Sequence, residues 1–180
     1  FNELANLGFN AIWLMGVWKR SPAGIVIAKQ HEGIMKDLRE ALPDLKEEDI
    51  AGSPYCIKDY QVDPQIGGDA GLAKARKEMA KRGLRLILDF VPNHVAPDHP
   101  WTSGHPEYFI NGTEKEMTKK PDNWYRTGKQ IYAKARDPFY PPWPDVQQLN
   151  IFNEGLREKM AQTLVSIATK CDGIRCDMAM

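Results

Sequence analysis

The stretch "GIRCDM" (Gly173 to Met178) plants an arginine and an aspartate two residues apart in a short apolar run. Side chains two apart on a strand face the same way, so Arg175 and Asp177 point together while Cys176 points away. A guanidinium that close keeps a carboxylate ionised and fixes its orientation. An ionised, oriented carboxylate at the mouth of a site is suited to act as a nucleophile. The same pair serves equally well as a structural ion pair closing the interior of a barrel. A second stretch, "LILDFVPNH" (Leu86 to His94), sets Asp89 near the end of another apolar run, with Asn93 and His94 just beyond Pro92. Taken alone, His94 reads as a loop histidine with an ordinary hydrogen bond before it reads as a catalytic group.

These residues need strands to carry them. "NAIWLM" (Asn10 to Met15), "LRLILDF" (Leu84 to Phe90) and "DGIRCDM" (Asp172 to Met178) have strand character without clean alternation. Near-continuous apolar runs suit parallel strands covered on both faces. Two helical patterns lie between them. In "GDAGLAKARKEMAKRG", Asp69 is the expected cap, Leu72, Ala75 and Met79 share one face, and Gly83 is the stop. In "NEGLREKMAQTLVSIATK", Asn153 is the expected cap, with Leu156, Met160, Leu164, Ile167 and Ala168 on the buried stripe. Each helix leads directly into a strand, and this alternation argues for an α/β fold with a parallel sheet.

The connections are unequal. Long segments follow the strands, whereas those leading into them are tight. The first long segment holds the charged "MKDLREALPDLKEEDI", expected to form a helical insertion on the surface. The second is rich in proline and aromatics, among them Trp101, Tyr108, Phe109, Trp124, Tyr125, Tyr132, Phe139, Tyr140 and Trp143. Loops of that length are functional or form a small subdomain with its own core. Elaborate loops after strands and short ones before them are the asymmetry of a (β/α) barrel, whose active site lies at the strands' C-terminal ends.

Composition narrows the partners. Lysine plus arginine equals aspartate plus glutamate at 24 each, so net charge gives no reason to expect nucleic acid or an anionic membrane. No apolar run is long enough to cross a bilayer. Cys56, Cys171 and Cys176 show no metal or disulfide spacing and are expected to be small buried residues. Their odd number favours reduced thiols and so leans towards the cytoplasm. The compartment itself stays unread, because "FNELANLGFN" starts like the tail of a helix and both ends look cut.

Taken together, these motifs resemble the alpha-amylase family of glycoside hydrolases. "DFVPNH" (Asp89 to His94) resembles the signature ending its third barrel strand, and "GIRCD" (Gly173 to Asp177) the one on its fourth. "PYCIKDYQVDPQIGG", "NHVAPDHPW" and "WPDVQQLN" resemble further family segments and fall in the family's order. The implied fold is a partial (β/α)8 barrel, about strands two to four, with a long B-domain-like insertion after the third. Residues 1–95 would hold two strands and their intervening insertion, 96–150 the inserted segment, and 151–180 a helix and the nucleophile strand.

The resemblance implies roles. Asp177 would be the nucleophile forming a covalent glycosyl-enzyme, with Arg175 as its support. His94 would bind sugar hydroxyls, Tyr55 would stack under the same sugar, and Asp89 would hold the architecture. Trp101, in the matching "HPW", is the expected aromatic contact to sugar, while most other aromatics are expected to be core. Tyr55 could instead cover the barrel rim. The chemistry needs no cofactor. A structural calcium is implied at Asn93, with Asp145 or Asn150 as further ligands, although asparagine is also a routine turn residue. The implied substrate is an α-linked oligosaccharide or polysaccharide. Hydrolysis, transfer or isomerisation by the same nucleophile, and a non-catalytic scaffold, all remain open. Met180 stands where many α-amylases carry lysine, which weakens a starch-type reading. Retaining hydrolysis needs a second carboxyl group about 5–5.5 Å away. In the family that group lies on a later strand, so the chain alone is expected to hydrolyse no glycoside, and its open sheet edges to impair folding.

Overall fold

In the computed structural model, which describes residues 1–179, the chain runs α1 (Asn2–Asn6), β1 (Ala11–Leu14), β2 (Trp18–Arg20), α2 (Pro22–Gln30), α3 (Glu32–Ala41), β3 (Ile57–Val62), α4 (Gly68–Ala80) and β4 (Arg85–Phe90). It continues through β5 (His94–Val95), α5 (Pro100–Gly104), α6 (Glu114–Lys119), β6 (Trp124–Thr127), β7 (Gln130–Ala133), β8 (Gln147–Gln148), α7 (Glu154–Ala168) and β9 (Gly173–Cys176).

The three runs with strand character form one parallel sheet in the order β1, β4, β9. Its register divides the residues by face. Trp13 lies level with Ile87, and Ile87 with Gly173; two residues on, Asp89 lies level with Arg175. These residues share one face because side chains alternate along a strand. The other face carries Leu86 and Leu88, both fully buried. They pack in one cluster with Leu72 and Met79 of α4 and Leu156, Met160 and Ile167 of α7. Burying each such side chain stabilises the fold by roughly 1.5–3 kcal/mol. The helices thus clamp the sheet from behind and leave the charged face open.

The crossover helices end as their sequences require. Asn153 caps α7, its side chain accepting from Leu156 N at 2.9 Å. Asp69 does not cap α4. Gly67 takes that position with φ +102°, a left-handed conformation open to glycine, and Asp69 sits in the first turn paired with Lys170. Ala168 is exposed rather than on the buried stripe, since the helix turns its last residue off the sheet. Asp172 ties β9 to β4: Leu86 N donates to its Oδ2 at 2.9 Å while Arg76 holds Oδ1. The two short connections, residues 81–84 and 169–172, contrast with the long excursions after β1 and β4.

The charged segment after β1 is helical only in part: α3 ends at Ala41 and buries no residue, and a short 3-10 turn follows at Glu47–Asp49. The antiparallel pair β2 and β3, joined through α2 and α3, brings Trp18 against Tyr60. After β4, β5 pairs antiparallel with β8, and β6 with β7. This second excursion feeds two clusters, Ala96, Ala135 and Val146 gathering with Cys56 in a small one apart from the main core. Trp101, Phe109, Tyr132 and Leu149 join the cluster that contains Leu86 and Leu88. Phe139 and Tyr140 are exposed. Of the cysteines, Cys56 and Cys171 are buried, but Cys176 is exposed: its strand position turns it away from Asp177 without covering it.

Candidate active site

On the open face, Asp89, Arg175 and Asp177 converge at the C-terminal ends of β4 and β9. Arg175 donates from Nη1 to Asp89 Oδ1 at 3.1 Å and pairs through Nη2 with Asp177 Oδ1 at 2.8 Å. Asp177 lies one residue beyond β9, anchored by its backbone N–H to the Phe90 carbonyl at 2.8 Å. The guanidinium lies over the Trp13 ring at 4.6 Å and near the Tyr55 ring at 5.7 Å, and its Nη1 reaches Tyr55 Oη at 3.3 Å. Burial opposes the charge on Arg175, but the hydrogen bond to Asp89 and the charge of Asp177 outweigh it, so its pKa rises. Burial and the charge of Asp89 push the Tyr55 phenol up, which keeps it a neutral hydroxyl.

Asp89 is 2 % exposed, and its Oδ2 has no hydrogen-bond partner. Its backbone is held from behind, where Trp18 Nε1 donates to the Asp89 carbonyl at 2.9 Å. Tyr60 Oη takes the Val91 N–H at 2.9 Å and donates to the Val91 carbonyl at 3.2 Å. These bonds fix the exit from β4 and hence the direction in which Asn93 and His94 leave it.

His94 is 3 % exposed and packs against Trp143 with ring centroids 5.5 Å apart. Burial pulls its pKa down to about 4, against the charge of Asp177 and a hydrogen bond to the Tyr55 backbone. At neutral pH it is an uncharged imidazole, able to donate at one nitrogen and accept at the other. A cavity of about 310 Å³ opens between Tyr55, His94, Trp143 and Asp177, with Ser53 and Asp145 on its rim. A neighbouring cavity of about 440 Å³ shares Ser53 and Asp145 and extends under α2 and α3. Burial raises the Asp145 pKa.

The structure therefore brings Asp177, Arg175, Asp89, His94 and Tyr55 together. It does not bring Trp101 to them. That ring is buried against His99 and Tyr108, at centroid distances of 4.5 and 5.6 Å, because Pro100 starts a short helix that turns it inward. Trp143 holds the place at the cavity that Trp101 was expected to take. Its position in "WPDVQQLN" was the available signal. Trp13, Trp18 and Tyr60 carried no local signal, since each meets the site only through strand pairing.

Asn93, where a calcium was expected, turns its oxygens towards Gln148. Its Oδ1 and its carbonyl oxygen both accept from Gln148 Nε2, at 2.8 and 2.9 Å. The proposed co-ligand Asn150 spends its Oδ1 on Phe152 N. Among the described residues no three of His, Cys, Asp and Glu gather as a metal site. Met180 lies outside the described residues.

A parallel sheet backed by helices on one face, with its ionisable residues at the C-terminal strand ends, defines a (β/α)-barrel type of site. The chain belongs to the alpha-amylase family: residues 2–180 match the family model described as alpha amylase, catalytic domain. It is similar to an alpha-glucosidase of Culex pipiens, 29% identical over 68% of this chain and 24% of the relative. It is also similar to the amino acid transporter heavy chain SLC3A1 of Mus musculus, 24% identical over 95% of this chain and 23% of the relative. Among solved structures, it resembles the noncanonic maltogenic alpha-amylase AmyB of Thermotoga neapolitana, with TM-score 0.63, 25% identity, and coverage of 99% of this chain and 33% of that one. The chain spans about a quarter of the length of these curated relatives.

Proposed function

We propose that this chain supplies the nucleophile side of a retaining α-glycosidase site acting on α-linked oligosaccharides or polysaccharides. The observation that carries the reading is Arg175 gripping Asp177 by Oδ1 beside a cavity walled by Tyr55, His94 and Trp143. Oδ2 of Asp177 then remains to attack the anomeric carbon. As the new C–O bond forms, the glycosidic C–O bond breaks, and the leaving oxygen takes a proton from a second carboxylic acid. Water then cleaves the glycosyl-aspartate. Neutral His94 hydrogen-bonds sugar hydroxyls, and the Tyr55 ring supports the sugar's apolar face. In this reading residues 96–150 are the family's B-domain insertion, and transfer to a sugar acceptor uses the same first step.

An activated donor isolates that step. In a 5-fluoro-α-glucosyl fluoride the fluoride leaves without a proton, so labelling depends on the nucleophile and not on the acid. The intact protein is expected to gain one glycosyl adduct, mapped by mass spectrometry to Asp177 and absent in Asp177→Asn. No adduct, or one on another residue, would refute the proposal. The likeness to an amino acid transporter heavy chain favours a second reading, a non-catalytic module. That reading gains if the protein binds maltose but takes no label.

A further inference from the structure

We propose that Gln148 is a positioning residue for His94, and that its side-chain amide stands where a cation would otherwise have to bridge the oxygens of Asn93. His94 and Gln148 are direct partners in the β5–β8 ladder. From there the Gln148 amide nitrogen reaches three carbonyl oxygens: Asn93 Oδ1 at 2.8 Å, the Asn93 backbone at 2.9 Å and the Leu149 backbone at 3.4 Å. Only a donor satisfies such a set. Turning the amide over would set Oε1 against the same oxygens, so the network itself assigns the orientation.

That assignment propagates. With Oδ1 of Asn93 committed to Gln148, its Nδ2 faces His94 Nδ1 at 3.1 Å. An amide N–H can only donate, so Nδ1 must accept and the ring proton resides on Nε2. Gln148 thereby selects the tautomer of the histidine that walls the cavity beside Asp177. An –NH2 group also does, by hydrogen bonding, what a hard cation does by coordination: it draws carbonyl oxygens of two separate segments, at Asn93 and Leu149, towards a common point. The benefit to sugar binding rests on the function proposed above, but the tautomer does not.

The test reads the ring nitrogens directly. Long-range proton–nitrogen spectra of the intact, 15N-histidine-labelled protein, with His94 assigned through His94→Gln, are expected to show the Nε2–H pattern alone. Adding millimolar calcium should leave those resonances in place. Gln148→Leu, which keeps bulk but removes the donor, should lose the single pattern and give mixed tautomers. An Nδ1–H pattern in the unmodified protein overturns the proposal, as does a calcium-induced shift of His94. An unchanged Nε2–H pattern in Gln148→Leu does the same. If the leucine variant fails to fold, the first two measurements still decide. An absent glycosyl adduct would leave this outcome untouched, so failure of the glycosidase reading and failure of this one are told apart.

Discussion

Replacing Arg175 by methionine should destabilise the fold chiefly through what it strands. Asp89 is 2 % exposed; Arg175 holds one of its oxygens at 3.1 Å, and the other has no partner. Without the guanidinium the carboxylate must stay charged among apolar neighbours or take up a proton. Removing one partner of a fully buried pair costs about 3–5 kcal/mol. Here the arginine side chain is 39 % exposed, so water screens part of the interaction, and the expected loss is about 2–3 kcal/mol. Urea unfolding followed by tryptophan fluorescence measures it, with Trp13 lying directly under the guanidinium. The companion is Asp89→Asn in the same background, which keeps shape and removes charge. It should recover at least about 1 kcal/mol, and the double-mutant cycle should show coupling of that order. A penalty for Arg175→Met below 1 kcal/mol, or strict additivity, would refute the view that the arginine exists to neutralise a buried acid.

Two further outcomes follow from burial. His94 and His99 are both held down to about 4 by burial, against the opposing charges of Asp177 and Asp98 respectively. Because an unfolded histidine titrates near 6.5, the native state binds fewer protons than the unfolded one. Stability is then full above about pH 6.5 and falls as pH drops through 4, by up to about 3 kcal/mol per histidine. Urea midpoints compared at pH 7 and pH 5 check the sign, and a rise on acidification would contradict it. Trp101→Ala and Trp143→Ala should part company: the first should cost about 3–5 kcal/mol in stability. The second should weaken glycosyl labelling by about 1 kcal/mol, roughly fivefold, with little effect on the unfolding midpoint.

How much of this was legible depends on whether the cause is local. The pairing of Arg175 with Asp177 follows from the two-residue repeat of a strand, so adjacent letters sufficed. The partnership of Arg175 with Asp89 required the β4–β9 register, which no single run of residues encodes. The same holds for Trp18, whose bond to the Asp89 carbonyl spans a sequence separation of 71. Trp101 was misplaced for a different reason. Its neighbours suggested a loop contact, but the proline before it begins a helical turn that faces the ring inward against His99 and Tyr108. At Gly67 local propensity also misled: Asp69 is a better cap by residue type, but the tight turn after Pro64–Ile66 demands a left-handed φ, and glycine takes it.

The buried pairs explain why the site is built in layers and not as a lone carboxylate. Asp177 lies just past the end of a strand, where one salt bridge to an arginine whose side chain is 39 % exposed would restrain it only weakly. Arg175 supplies a better restraint because its own position is determined twice, by the ring of Trp13 beneath it and by Asp89 beside it. Asp89 in turn cannot move, since Trp18 holds its carbonyl and Leu88 and Phe90 on either side are buried in the core. Rigidity thus passes outward from the apolar face of the sheet to the nucleophile candidate through one buried acid and one half-exposed base. A substitution at Trp18, remote from the cavity, should therefore disturb Asp177 more than one at Met178, which lines it.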